Sequence, residues 1–246
     1  MSRTRAEILI DKALMDAAQA CLQRLVILGD ARVPEMQGMA VARAVTRAWT
    51  GAIKRETRAV QRGVGEVKQA EDDLWQQFVQ EYIRLYGGQS IADILETTRR
   101  QILDRLEKGL REGKGVAEIA KEIQDAIPVM TRRRAALIAR TETHSAAQFA
   151  SIETAKRYPF KVEKMWNSAY DHRTRDFGEG DGKIDQANHR KMNGVTVALD
   201  EPFMVPNKWG GFDPMMFPGD QSAPAYQCVN CRCAMSYRRV GRAVIP

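Results

Sequence analysis

Apolar residues recur every three or four positions through the first two thirds of the chain, which is typical of helices with one buried side. In the opening segment this stripe consists of Leu14, Ala18, Cys21, Leu25 and Leu28. Cys21 lies within the stripe, so we predict that its thiol packs in a core. Similar patterns predict helices over about residues 34–62, 67–86, 91–112 and 116–127.

Glycine and proline indicate where these helices should end. Gly87 and Gly88 predict a stop after the third helix, and Ser90 with Asp93 three residues later resembles a capping box. Pro128 is expected to close the helix before it, because proline lacks the N–H that a helix interior uses. A further helix is predicted from Thr131 to about residue 157.

The pattern changes after Pro159, where glycines, aromatics and turn signals replace the helical stripes. Residues 160–166 have the character of a strand, and the Asn193–Gly194 turn is followed by alternating apolar residues at 195, 197 and 199. We therefore predict a mainly α fold with a small, turn-rich α+β C-terminal module that contains a few short strands. The predicted domains are residues 1–130 and 131–246.

One face of the predicted 131–157 helix mixes apolar and polar residues. Ile138 and Ile152 share this face with Thr141, Ser145 and Gln148, where apolar side chains would be expected. Such a face predicts contact with an irregular, polar segment of the chain. The alternative interpretation is a helix that is half exposed to solvent.

The chain is basic, with a formal net charge of +7 and a pI near 9.3. This excess favours contact with a polyanion such as DNA or with an acidic protein surface, although solubility alone would also explain it. No apolar run approaches the roughly 18 residues that a membrane span needs. Asp11, Lys12 and Asp16 interrupt the N-terminal segment where a signal peptide would be apolar, so a cytosolic product is expected.

Three of the four cysteines lie within six residues, at Cys228, Cys231 and Cys233. A C-x-x-C step followed by C-x-C can bring three thiolates to one zinc ion. The fourth ligand would be a histidine, with His189 the first candidate and His172 the second. The competing interpretation is a buried thiol cluster at a sharp turn, in which Arg232 forms an ion pair with a carboxylate.

The segment Asp171–Arg175 concentrates charge and hydrogen-bond donors. Asp171 could orient Arg173 or Arg175 through a charge-assisted, bidentate bond. The functional interpretation is contact with phosphate or nucleic acid. The alternative, which we favour, is an internal ion-pair network that holds a module with few strands together.

Seven motifs follow one another in the C-terminal half of the chain. They are Ile138–Thr143, Trp166, Asp171–Arg175, His189–Gly194, Glu201–Phe203, Pro218–Asp220 and Asn230–Cys233. Their order resembles the phage Mu F-like head-morphogenesis family of minor head, or minor capsid, proteins. The resemblance covers about residues 115–240 and departs from the family pattern in a stretch, residues 177–188, that separates Arg175 from His189. We interpret this stretch as an inserted loop.

The resemblance implies a structural protein of a tailed-phage or prophage head. Such a protein would associate with the portal and with the coat or scaffold protein, act in head assembly in the host cytoplasm, remain in the virion head and contact packaged double-stranded DNA. It implies no catalytic activity, no membrane and no small-molecule substrate. The helical region 1–130 would serve docking and assembly. Structural and interaction roles fall to Arg140, Glu142, Trp166, Asp171, Arg173, Arg175 and Arg232.

Two other functions remain open from the sequence. One is a nucleic-acid-binding module held together by zinc. The other is a metal-dependent nuclease of the His-metal finger type, suggested by His189 close to the cysteine cluster. That chemistry needs a histidine that activates water beside a hydrolytic metal, with a second histidine or asparagine on a following helix, and no such helix is predicted.

Overall fold

The computed structural model describes residues 4–28, 32–64, 71–112, 114, 116–179 and 185–240. The fold is mainly helical, as predicted. Helices α1 (Arg5–Leu28), α2 (Glu35–Val64) and α3 (Glu71–Tyr82) are followed by a π-helical segment, Ile83–Gly87, and then by α4 (Gly88–Arg111) and α5 (Val116–Ala155). No helix in these ranges is both long and apolar enough to cross a membrane.

Short antiparallel strands are confined to the C-terminal part, as predicted. Strand β1 pairs with β2 on one side and with β5 on the other, while β3 and β4 form a separate pair. The predicted turn before β2 is confirmed by Gly194, whose φ is +81°. The elements are β1 (Val162–Asn167), β2 (Thr196–Ala198), β3 (Phe203–Pro206), β4 (Phe212–Met215), a short helix α6 (Ala225–Cys228) and β5 (Ala234–Arg239).

The chain forms two compact units, and neither is continuous in sequence. The first comprises Met1–Ala48 and Ile83–Arg140, and the second comprises Trp49–Tyr82 and Thr141–Pro246. Helices α2 and α5 each contribute residues to both units. This partition differs from the predicted division at residues 130 and 131, because Trp49–Tyr82 belongs with the C-terminal residues.

The core of the first unit contains Cys21, which is fully buried, so its predicted packing role is confirmed. Helices α4 and α5 approach closely at Gly109, where an added Cβ would lie 2.6 Å from Cγ1 of Ile119. The side chains of Leu25 and Leu28, the end of the predicted stripe on α1, lie outside the described part. The core comprises Ala18, Cys21, Leu22, Ile102, Ile119, Ile123 and Ile127.

Two predicted helix ends are wrong. Helix α5 passes through Pro128, because its buried stripe continues from Ile127 to Thr131 and Ala135 while Pro128 itself is exposed. Packing of that stripe offsets the loss of one backbone hydrogen bond. Gly87 and Gly88 do not end the helix either, since the π segment passes directly into α4, and Ser90 lies inside α4 rather than at its start.

The second unit is held by a row of aromatic side chains. Ring centroids are 5.4 Å apart for Trp49 and Tyr82, 5.3 Å for Tyr82 and Phe149, and 6.2 Å for Phe149 and Phe217, all in edge-on arrangements. These edge-on contacts join α2, α3 and α5 to the loop after β4. A second cluster, around Trp166 on β1, includes all three C-terminal cysteines.

Candidate metal centre

Three of the four predicted metal ligands come together in the second unit. The Nδ1 atom of His189 lies 3.6 Å from Sγ of Cys231 and 3.7 Å from Sγ of Cys233. The three ligand atoms all lie within 4.8 Å of one another, and all three side chains are buried. Among the described residues this is a compact group of nitrogen and sulfur donors.

Local structure places each of these three side chains. The backbone N–H of His189 donates to the carbonyl of Arg175 at 2.9 Å, which fixes the histidine beside the Asp171–Arg175 segment. Asn230 takes a left-handed conformation, with φ of +59°, so the chain turns sharply before Cys231. The ring of Trp166, on β1, packs edge-on against the His189 ring, with the two ring centroids 5.3 Å apart. It covers the group on the side of the sheet.

The second ring nitrogen of His189 is held by a relay of two hydrogen bonds that ends at Asp213. Its Nε2 lies 2.8 Å from Oε1 of Gln227, and Nε2 of Gln227 donates to Oδ2 of Asp213 at 2.7 Å. A carboxylate can only accept, so the Gln227 amide must turn its nitrogen to Asp213 and its oxygen to the histidine. His189 therefore carries its proton on Nε2, and the lone pair of Nδ1 points towards the two sulfurs.

Among the described residues, the fourth predicted ligand, Cys228, and the second histidine candidate, His172, do not belong to this group. The Cys228 thiol donates to the backbone carbonyl of Asp220 at 2.7 Å, and burial raises its pKa to about 12. His172 is exposed. The C-x-x-C spacing therefore does not bring both of its cysteines to one point, whereas the C-x-C spacing does.

The two grouped thiols differ in acidity. A hydrogen bond from the Cys231 thiol holds the pKa of Cys233 well below its ordinary value, although burial acts in the opposite direction. The same bond, with burial, raises the pKa of Cys231. The arrangement thus stabilises a negative charge on one sulfur of the pair.

Asp171 takes part in an internal network. Its carboxylate forms an ion pair with Arg232, and it also accepts from the backbone N–H of Arg173 at 3.0 Å. The predicted pairing of Arg232 with a carboxylate is confirmed. The side chain of Arg175 donates to the carbonyl of Val229 and not to Asp171. These contacts agree with the internal network that we favoured.

The Ile138–Thr143 motif also points inwards. Oε2 of Glu142 accepts from Nε1 of Trp49 at 2.8 Å and from Nε2 of Gln221 at 3.0 Å. Burial raises the pKa of Glu142 despite these two bonds. Arg140, two residues earlier on α5, is exposed.

The polar face of α5 contacts the C-terminal segment, as predicted, and the half-exposed alternative is wrong. Thr141 Oγ1 accepts from the backbone N–H of Asn230 at 2.9 Å, and Gln148 Oε1 accepts from that of Met235 at 3.1 Å. Both α5 side chains are buried. The helix therefore fixes the turn that carries Cys231 and Cys233.

Sequence reasoning missed Lys164, Gln227 and Asp213. Lys164 is fully buried on β1, donates from Nζ to the carbonyl of Met216 at 2.9 Å, and has its pKa lowered to about 8 by burial. Its alternation with two buried β1 residues, at 162 and 166, was an available signal. Gln227 and Asp213 carry no such signal, because they are far from His189 in sequence.

Comparison with known proteins assigns the chain to a family. Residues 100–236 match the family described as "Phage Mu protein F like protein". This match covers more than half of the chain, so the chain belongs to the phage Mu protein F-like family, a family of phage head-morphogenesis proteins.

The relative YqbB of Bacillus subtilis (strain 168), described as an uncharacterized protein, is 26% identical over 150 residues. The matched region makes up 61% of this chain and 45% of YqbB, so the chain spans less than half of that relative's length. No solved structure matches this chain.

Proposed function

We propose that this chain is a minor head protein of a tailed phage or prophage, that it acts in head assembly, and that it is not an enzyme. It would associate with the portal and with the coat or scaffold protein while the head forms in the host cytoplasm, and it would remain in the virion head. Its basic charge favours contact with packaged double-stranded DNA.

The observation that carries this proposal is that the family motifs make internal contacts. Glu142 binds Trp49, Asp171 pairs with Arg232, and Thr141 fixes the backbone at Asn230. These residues build a module through contacts within the chain. A scaffold of this kind suits a protein whose task is to hold a position in a larger assembly.

The environment of His189 argues against the nuclease alternative. Its side chain is only 1% exposed, Nε2 is bound to Gln227, and Nδ1 faces the two thiols. A histidine that activates water must reach a substrate, and this one is enclosed.

The helices of the first unit carry exposed apolar side chains that suit docking. Met36 and Met39 on α2 are 67% and 48% exposed, and Ile8 on α1 is 50% exposed. Exposed large apolar residues that lie close together commonly mark protein–protein contacts. Met36 and Met39 are three residues apart on α2 and so are neighbours on its surface, and we place contact with the portal or coat there.

Mass spectrometry of purified heads, with cross-linking to the portal, tests the proposal. We expect the full chain in the heads and cross-links from α1 or α2. Met36→Glu with Met39→Glu should abolish incorporation, whereas Arg47→Gln, which alters charge at another exposed α2 position, should not. Absence of the chain from purified heads would overturn the proposal.

Two assays separate the alternatives. Plasmid nicking with magnesium or manganese that disappears in His189→Ala would establish the nuclease and overturn the non-enzymatic role. Tight, strongly salt-dependent DNA binding by a chain that does not enter heads would establish the DNA-binding module instead.

A further inference from the structure

We propose that the second unit binds one zinc ion through Nδ1 of His189 and the thiolates of Cys231 and Cys233, and that Cys228 is not a ligand. Gln227 and Asp213 are positioning residues that hold the histidine in its metal-binding tautomer. This inference goes beyond the head-protein function and does not depend on it.

The distances between donor atoms fit a tetrahedral zinc ion. With Zn–S bonds of about 2.3 Å and Zn–N bonds of about 2.0–2.1 Å, a nitrogen and a sulfur ligand lie about 3.6 Å apart. The Nδ1 atom of His189 lies 3.6 Å from Sγ of Cys231 and 3.7 Å from Sγ of Cys233. The three side chains could therefore bind the ion with little movement.

The relay behind His189 is of the kind that zinc-binding histidines use. A ligating imidazole commonly donates its other N–H to a carboxylate or an amide oxygen, which fixes its tautomer and orientation. Here Nε2 donates to Gln227, and Asp213 holds Gln227. Without a metal, an imidazole lone pair buried against two thiols would have only weak hydrogen-bond partners.

The donor set selects the metal. Two thiolates and an imidazole favour zinc over magnesium or calcium, which prefer oxygen ligands. Each ligating thiol binds as a thiolate and releases its proton to solvent. Among the described His, Cys, Asp and Glu side chains, these three form the converging group, so the proposal assigns three protein ligands to the ion.

Cys228 has a different task. It lies at the end of α6, and its thiol donates to the carbonyl of Asp220 at 2.7 Å and approaches that of Ala223 at 3.4 Å. These bonds tie α6 to the preceding loop and give the sulfur partners outside the group. A serine hydroxyl could replace the thiol as donor, which makes Cys228→Ser a matched control for the two ligand variants.

Elemental analysis of the purified full chain, with and without Cys→Ser substitutions, tests the ligand set. We expect one zinc per chain in the wild type and in Cys228→Ser, and loss of the ion in Cys231→Ser and Cys233→Ser. A folded wild-type chain with a zinc ratio near zero would overturn the inference, and so would equal zinc loss in Cys228→Ser and Cys231→Ser.

Replacing zinc by cobalt gives a second test that needs only the wild type and Cys228→Ser. It therefore does not depend on whether the Cys231→Ser and Cys233→Ser variants fold. The sulfur-to-cobalt charge-transfer absorption of the wild type should equal that of Cys228→Ser, because both have the same two thiolate ligands. A weaker band in folded Cys228→Ser would show that Cys228 is a ligand and would overturn the assignment.

The positioning role of Gln227 has its own measurement. Gln227→Leu should weaken zinc affinity by roughly 10- to 100-fold in a chelator competition, which is the usual effect of losing such a partner. Tyr226→Phe removes another bond to the same oxygen of Asp213, at 2.7 Å, but leaves the relay in place, so it should change affinity less. Unchanged zinc affinity in Gln227→Leu would overturn the positioning role of the relay.

A zinc-free chain that still enters heads would overturn the metal site and leave the proposed function standing.

Discussion

Glu142 is a buried carboxylate whose two described donors, Trp49 and Gln221, are both uncharged. Neutral hydrogen bonds offset only part of the cost of burying a negative charge, so burial raises its pKa above the ordinary value of 4.5. The folded state then binds a proton more readily than the unfolded state. Stability from this group is present at low pH and is lost as pH rises through the raised pKa.

We expect Glu142→Gln to be at least as stable as the wild type at pH 7, because the amide oxygen can accept both bonds without carrying a charge. The advantage should shrink as pH falls towards 4.5, where the wild-type carboxyl becomes protonated in the folded state. Urea unfolding of both proteins across this pH range measures the difference in free energy.

Glu142→Leu is the control that removes the acceptor itself. It leaves the buried Nε1 donor of Trp49 without its acceptor and should cost about 1–3 kcal/mol. If Glu142→Gln were as destabilised as Glu142→Leu at pH 7, the charge of Glu142 and not its acceptor role would hold the site.

The cysteines show what residue type and spacing can predict. Sequence reasoning correctly gathered His189, Cys231 and Cys233, because few other soft donors exist in the chain. It also grouped Cys228, since C-x-x-C commonly supports a metal. The backbone decides between the two pairs: Cys228 ends α6 and its thiol bonds to the carbonyl of Asp220, whereas Asn230 turns the chain just before Cys231.

At the scale of elements, the Pro218–Asp220 motif is explained by close packing on α5. Gly219 has a φ of +85°, and an added Cβ would lie 2.8 Å from Cδ2 of His144 and 3.7 Å from Cα of Ser145. A glycine is therefore required here both by the backbone conformation and by the space. Asp220 completes the loop by accepting from the backbone N–H of Met216 at 2.8 Å.

We expect Gly219→Ala to destabilise the chain by about 2–3 kcal/mol, because strain at a positive φ adds to the clash with His144. Gly194→Ala is the matched control: its φ is +81°, but nothing lies within 4 Å of an added Cβ. That variant should show the backbone cost alone, about 1–2 kcal/mol. Thermal and urea unfolding of both variants measure the difference, and equal losses would contradict the packing of Gly219 on α5.

Helix α5 shows why local stop signals can mislead. Pro128 and Thr131 predicted one helix ending and another starting, yet Ile119, Ile123 and Ile127 continue in register to Ala135 on one buried face. Counting in steps of four residues from Ile119 across Pro128 to Ala135 would have predicted the single helix. Strands β1 and β2 were predictable because alternation and an Asn-Gly turn are local signals, whereas the pairing of β1 with β5 joins residues more than 60 positions apart.

At the scale of the whole molecule, the compact units do not follow the order of the sequence. Trp49–Tyr82 belongs to the same unit as Thr141–Pro246, although residues 83–140 lie between them in the chain. Val60 packs beside the cluster of Ala155, Tyr158 and Val162, which extends this association along α2. The assignment of docking to residues 1–130 and of the head-morphogenesis domain to residues 131–246 stays a prediction about function.

A fragment of residues 131–246 should therefore fail to form a native second unit. It lacks Trp49, which donates to Glu142, and Tyr82, which packs against Phe149, so a buried carboxylate and an aromatic surface would be left exposed to water. We expect weak near-ultraviolet circular dichroism, dye binding and no cooperative unfolding, against a cooperative transition in the full chain. In the full chain, Trp49→Phe removes the indole donor alone. It should lower the free energy of unfolding by about 1–3 kcal/mol without loss of cooperativity.

A fragment that unfolds cooperatively with native-like dichroism would show that residues 49–82 only cover this unit and are not part of its core.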